Sequence, residues 1–122
     1  MKDTRVIIAG SRYCPETSEE LFSKITKLLS NLGKDDLEIV SGCARGADKL
    51  GENFAKRFDI PIKRFPAKWE EHGRSAGPIR NKEMSNYATH LIAFWDGKSR
   101  GTKSMIDTAT EDNLKVRVVY LK

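Results

Sequence analysis

The sequence is poor in the residues that make metal and disulfide frameworks. It has two cysteines, Cys14 and Cys43. These are too few for a disulfide scaffold, and their spacing fits no zinc motif. Both are expected to be reduced thiols filling space near strand ends, with a reactive role as the lesser alternative. His72 has no second His or Cys at ligand spacing, so neither a metal nor a cofactor is expected. Long apolar runs are also missing. The longest falls far short of the roughly 20 residues that a membrane span needs. The opening "MKDTRVIIAGS" has a short apolar stretch without a long h-region or a cleavage site, so it reads as a first strand and the location as cytoplasmic. Repeats, low-complexity tracts and linkers are absent.

What is present fits one ordered domain over residues 1–122. Apolar residues make up 39% and charged residues 32% of the chain, which is ordinary for a globular protein and too apolar for disorder. The net charge of +5 favours anionic partners, but the basic residues are spread along the chain and give no concentrated patch.

Apolar periodicity alternates between strand and helix. Strands are predicted at 4–10, 37–42, 60–66, 90–97 and 115–121. Helices are predicted at 15–33, 46–58, 78–88 and 102–113. The first helix carries Leu21, Ile25, Leu28, Leu29 and Leu32 at helical spacing, a Thr17–Glu20 capping box, and Gly33 as its stop. The second places Ala47, Leu50, Phe54 and Phe58 on one face. Residues 67–76 have no apolar period and read as a loop. Pro78 suits the first helical position of the third helix. Alternating strands and helices with short connections predict an α/β, doubly wound, Rossmann-like domain with a mainly parallel five-stranded sheet. Ligands of such sheets bind beyond the carboxyl ends of the strands, near the switch point. Four loops then matter: 10–15, 41–48, 66–77 and 95–102.

Gly10 ends a strand, and Ser11 and Arg12 project a hydroxyl and a guanidinium from that edge. In "SGCARGAD" (41–48), Ser41, Gly42, Arg45, Gly46 and Ala47 lead into a helix N-terminus, a seat for a phosphate or simply a tight turn. Asp48 and Glu52 lie four apart on one helical face. The segment 68–84 adds Trp69, Glu70, Glu71, His72, Arg74, Arg80 and Asn81; Arg80 and Asn81 are expected in the first turn of a helix, facing an anion, with Met84 in the core. Trp95 is equally readable as core or as a base-stacking ring. Asp96 either meets a ribose hydroxyl or caps its turn. Gly101 and Thr102 open a second helix that offers free N–H groups. Neither a G-x-G-x-x-G nor a P-loop motif is present.

Taken in order, "GSR" (10–12), "SGCARGAD" (41–48), "AGPIRNKEM" (76–84) and "WDGKSRGTK" (95–103) resemble the small Rossmann-like SLOG superfamily, in particular its YspA-like branch. The resemblance covers nearly the whole chain. It implies a nucleotide-linked ligand at the carboxyl ends of the strands. The superfamily includes LOG-type phosphoribohydrolases, the DNA-processing protein DprA and nucleotide-sensing defence domains. The hydrolase motifs are similar at Arg80–Met84 and at Gly101–Thr102. They depart where the hydrolase glutamate would fall, because this chain has Met105. The hydrolase proline is replaced by Trp95–Asp96, and its paired lysine by Asn81.

The expected function is therefore binding of a nucleotide or nucleotide derivative, for sensing or processing. The alternatives are an N-glycosidic hydrolase of nucleotides and DprA-like nucleic-acid binding. Candidate catalytic residues are Asp48, Glu52 and Arg80, with Asp96 and then Asp107 as further candidate acids in place of the missing glutamate. Candidate ligand-binding residues are Gly10, Ser11, Arg12, Ser41, Gly42, Arg45, Gly46, Ala47, Asn81, Trp95, Asp96, Gly101 and Thr102. A homodimer is a further expectation, and a membrane partner is not expected.

Overall fold

A computed structural model describes residues 2–30 and 36–121. Five strands, β1 (Thr4–Gly10), β2 (Leu37–Ser41), β3 (Ile62–Arg64), β4 (His90–Trp95) and β5 (Lys115–Tyr120), form one sheet in the order β3-β2-β1-β4-β5. Every pairing is parallel. The helices are α1 (Glu19–Leu29), α2 (Ala47–Arg57), the single turn α3 (Trp69–His72), α4 (Ala76–Tyr87) and α5 (Arg100–Glu111). This is the expected doubly wound α/β fold, and its sheet is entirely parallel.

The alternation of side chains along β1 separates two cores. Val6 and Ile8 pack with α1 and α2, through Leu21, Phe22, Ile25, Leu50 and Phe54. Ile7 and Ala9 pack with α4 and α5, through Met84, Met105 and Ala109. Burial on both faces explains why β1 reads as a continuous apolar run instead of an alternating one. Among the described residues no helix is long and apolar enough to cross a membrane.

The local chemistry differs from expectation in four places. α1 is capped by Ser18, not Thr17: Ser18 is extended (φ −157°) and its Oγ accepts from the Leu21 N–H at 3.2 Å. Glu20 is left to pair with Lys24 at 3.9 Å, so no capping box forms. The expected continuation through Leu32 to Gly33 lies outside the described residues. Phe58 is 50% exposed, because it sits at the C-cap of α2, with its ring tilted against Phe54 and ring centres 4.8 Å apart. The expected loop 67–76 instead holds α3 and a 3-10 turn (Gly73–Ser75) running directly into α4. Those turns need no apolar face, since local bonds from the Glu71 and His72 N–H groups to the Lys68 carbonyl, both 3.0 Å, suffice. Pro78 is consequently the third residue of α4, still in the first turn, where proline is tolerated.

The chain reverses its direction across the sheet at β1 and β4. Gly10 lies against Phe94 so closely that a Cβ there would stand 2.1 Å from the Phe94 carbonyl oxygen. Gly46, just before α2, has φ 80° and ψ −126°, and a Cβ would stand 2.3 Å from the Ser11 carbonyl oxygen. Backbone lies on both sides of that contact, so nothing flexible can yield. Gly46→Ala is expected to destabilise the fold by about 2 kcal/mol or more, from strain of about 1–3 kcal/mol plus the clash. Urea unfolding monitored by far-UV circular dichroism checks this, and an unchanged midpoint would contradict it.

Candidate functional site

A hollow of about 330 Å³ opens at the carboxyl edge of the sheet on the α4/α5 side. It lies at the switch point, where ligands of such sheets bind. Of the residues expected from the sequence, Gly10, Arg12, Asp48, Arg80, Asn81, Gly101 and Thr102 all line it. Its apolar floor includes Ala9, Met84 and Met105. A second hollow of about 370 Å³ adjoins it, with Arg12, Ala44, Trp69 and Arg80 common to both and Gly42 and Arg45 on the far side.

The start of α5 is an open helix N-terminus at this hollow. Ser99 caps it, its Oγ accepting from the Thr102 N–H at 3.4 Å and from the Thr102 hydroxyl at 3.1 Å. The N–H groups of Arg100 and Gly101 have no protein acceptor among the described residues. The first turn carries no acidic residue and does carry Arg100. A helix dipole favours negative charge at that end, so a cationic first turn leaves room for an external anion. Arg12 is exposed beside it and forms no ion pair among the described residues.

Arg80 is held in place. It lies in the second turn of α4, two residues further into the helix than the sequence suggests, because that helix begins at Ala76. Its Nη1 donates to the Gly42 carbonyl, and its Nε donates to Asn81 Oδ1 at 3.0 Å. Asp48 approaches the same glycine: a Cβ on Gly42 would be 2.6 Å from Arg80 Nη1 and 2.8 Å from Asp48 Oδ2. The Asp48 carboxylate is 6% exposed and accepts from the Ala44 N–H at 3.0 Å. Burial pushes its carboxyl up to about 6, against the opposing effects of that hydrogen bond and the Arg80 charge.

Glu52 goes elsewhere. It is buried, accepts from Ser41 Oγ at 2.6 Å, and pairs with Arg64 at 3.1 Å and Lys49 at 3.7 Å. Burial alone would raise its carboxyl; the bonds from Ser41 and Arg64 and the Lys49 charge outweigh that and hold it below its ordinary value. The same Ser41 Oγ accepts from the Cys43 N–H at 3.1 Å. The glycine-rich loop is similarly occupied. The Gly46 N–H donates to Glu16 Oε2 at 2.8 Å, and the buried Ala47 donates its N–H to the Ser11 carbonyl at 3.1 Å. Ser41, Gly46, Ala47 and Glu52 therefore shape the wall behind Asp48 without offering open groups to the cleft.

Ser11, Trp95 and Asp96 also turn away from it. Ser11 is buried and borders a separate hollow of about 660 Å³ on the α1 side, together with Asp96 and Tyr13. Trp95 Nε1 donates to the Ser99 carbonyl at 3.0 Å, and its ring lies 5.9 Å from that of Tyr120. Asp96 Oδ1 accepts from the Lys98 and Ser99 N–H groups, both at 2.8 Å, which lowers its pKa. These two residues brace the start of α5. Asp107 pairs with Lys103 at 2.8 Å on an exposed face of α5. His72 is exposed, with Nε2 3.6 Å from Glu71, and no metal-type cluster exists among the described residues. Burial raises both thiols, Cys14 to about 11 and Cys43 with further upward pressure from Glu52, so neither is an activated nucleophile.

Sequence reasoning passed over Ser99, Arg100 and Ser104, which line the hollow. Their signal was present: a serine ahead of a helix that starts on a basic residue.

A parallel doubly wound sheet with a cationic cleft at its switch point defines a Rossmann-like ligand domain. The profile of the YspA, cpYpsA-related SLOG family matches residues 4–72, and the chain belongs to that family. Gene 61 protein of Mycobacterium phage D29 is 30% identical over 118 residues, covering 92% of this chain and 93% of that protein. The DNA processing protein A (DprA) of Streptococcus pneumoniae superposes with a TM-score of 0.70 at 18% identity, over 94% of this chain. That likeness is one of fold, and the chain spans about half the length of the DprA chain (49%). The SLOG resemblance read from the four loop motifs is thus borne out. Family membership gives a nucleotide-related role in general.

The raised carboxyl of Asp48 has a measurable consequence. Its folded-state value of about 6 lies above the unfolded value of roughly 3.9, so the folded chain holds this proton more tightly. The associated stability is complete below about pH 4 and is lost as pH rises through 6. Asp48→Asn keeps an acceptor for the Ala44 N–H and removes the buried charge. It should change stability little at pH 4 and raise it by about 1–3 kcal/mol at pH 8. Urea titrations of both proteins across that range check this, and an offset independent of pH would contradict it.

Proposed function

We propose that the chain binds a nucleotide or nucleotide derivative in the switch-point cleft, with a phosphate seated at the start of α5. One observation carries this: the Arg100 and Gly101 N–H groups are open toward a cleft that also receives the unpaired Arg12. Backbone donors and a guanidinium together suit phosphate oxygens. Arg80, fixed by Gly42 and Asn81, adds positive charge to the same hollow, and the Ala9–Met84–Met105 floor suits the less polar part of the ligand. Membership of the SLOG family supports the same ligand class.

Isothermal titration with a panel of nucleoside monophosphates tests the proposal. Matching nucleosides without phosphate should bind much more weakly. Arg12→Ala should weaken monophosphate binding by about 10- to 100-fold, the loss of a charge-assisted hydrogen bond of about 1.5–3 kcal/mol. Affinity that ignores the phosphate would overturn the assignment.

Asp48 favours a second proposal, N-glycosidic hydrolysis. A buried cleft carboxyl with a value of about 6 is matched to proton transfer near neutral pH. Glu52, engaged by Ser41, Arg64 and Lys49, is not free for that role. Base release from nucleotides, followed chromatographically, should fall by at least about 100-fold in Asp48→Asn, the usual weight of a general acid or base. Release equal in both proteins, or absent in both, would rule out this chemistry.

A further inference from the structure

We infer that Trp69 is the platform for the nucleobase, which makes the cleft selective for nucleotides over bare sugar phosphates; this rests on the nucleotide proposal above. Trp69 is 51% exposed, although an indole in water forgoes the gain of burial. It belongs to both hollows, where the other exposed large apolar residues Tyr13, Phe58, Ile79 and Tyr120 belong to neither. The ring is positioned, not loose. It rides on α3, and its outer ring carbon lies over Gly77, where even a methyl group would stand at contact distance, 3.5 Å. The glycine thus leaves room for that edge of the indole, and Trp69 as a whole stays half exposed. The indole N–H has no protein acceptor among the described residues. The other tryptophan is fully committed, to the Ser99 carbonyl and the Tyr120 ring.

The arrangement has two ends. The open N–H groups of α5 and Trp69 line the same hollow, and the second hollow continues past Trp69 on its far side. A phosphate held at α5 leaves the rest of a mononucleotide directed along a wall whose open aromatic surface is Trp69. Stacking on an aromatic side chain contributes about 1–3 kcal/mol per base and accepts any base, because each has a π-face. Arg12, shared by both hollows, adds a cation at the rim.

The test compares adenosine monophosphate with ribose 5-phosphate, by calorimetry and tryptophan fluorescence, on the parent protein, Trp69→Leu and Trp69→Phe. In the parent, adenosine monophosphate should bind about 5- to 150-fold more tightly than ribose 5-phosphate and quench fluorescence. Trp69→Leu should lose that advantage and the quench, while binding ribose 5-phosphate as the parent does. Trp69→Phe should retain most of the advantage. An advantage that survives in Trp69→Leu, or equal affinities in the parent, overturns this inference alone. Binding of neither compound to the parent overturns the phosphate site and this inference together.

Discussion

The peptide unit around Ser11 joins three elements at the point where the sheet reverses. Its N–H donates to the Phe94 carbonyl of β4 at 2.9 Å, and its carbonyl accepts from the Ala47 N–H at the start of α2 at 3.1 Å. The same carbonyl accepts from the Cys14 N–H at 3.2 Å, which turns the chain toward α1. β1, β4 and α2 are thereby drawn to within backbone contact, leaving no space for a Cβ at Gly10 or Gly46. Arg12 follows directly and is delivered to the cleft rim. The cation's position is thus a consequence of how the strands and helix meet, and the same close packing fixes the wall that carries Asp48.

Asp48 and Glu52 show how one helix gives two carboxylates opposite properties. They stand four residues apart, and both are nearly inaccessible to solvent. Glu52 has a hydroxyl donor and two cations around it, so burial does not prevent ionisation. Asp48 has one backbone donor, and the nearest cation, Arg80, is already engaged with the Gly42 carbonyl. Desolvation therefore prevails at Asp48 and loses at Glu52. A helical spacing of four shows that the two share a face, but the difference arises from β3 and α4, which supply Arg64 and Arg80 from distant parts of the chain.

The fold was legible because each strand and helix signal was strong and local. The continuous run at Val6–Ala9, the period in α1 and the Gly-Thr start of α5 all survive in the structure. Their order alone selects the carboxyl edge. What escaped was decided between near-equivalent neighbours or by tertiary partners. Thr17 and Ser18 are both competent caps, and only the backbone geometry at 18 chooses between them. The 67–76 segment forms helical turns without any apolar period to announce them. The glycine-rich stretch 41–48 looks like an open phosphate seat in sequence, yet Glu16, thirty residues away, occupies the Gly46 donor. Seven of the expected site residues still line one hollow, since they sit at or near the strand ends and helix starts that the parallel topology brings to one edge.

Met105 ties the cleft's polarity to its chemistry. It is 2% exposed, in the second turn of α5, and belongs to both the core on the α4/α5 side and the cleft floor. A carboxylate at that place would be buried in the cluster that holds Ala9 and Met84, and that burial would raise its pKa. The apolar floor and the cationic rim are therefore mutually consistent: under the proposed function, charge would be recognised at the α5 start and at Arg12, while the floor would meet the neutral part of the ligand. Any acid that acts on such a ligand must stand on the side wall. Of the acids weighed from the sequence, Asp48 alone lines the hollow: Glu52 is bound to Arg64, Asp96 caps its own turn, and Asp107 pairs with Lys103 on an exposed face. Arg80, which lines the same hollow, bears on that acid directly, since its charge opposes the rise that burial imposes on the Asp48 carboxyl.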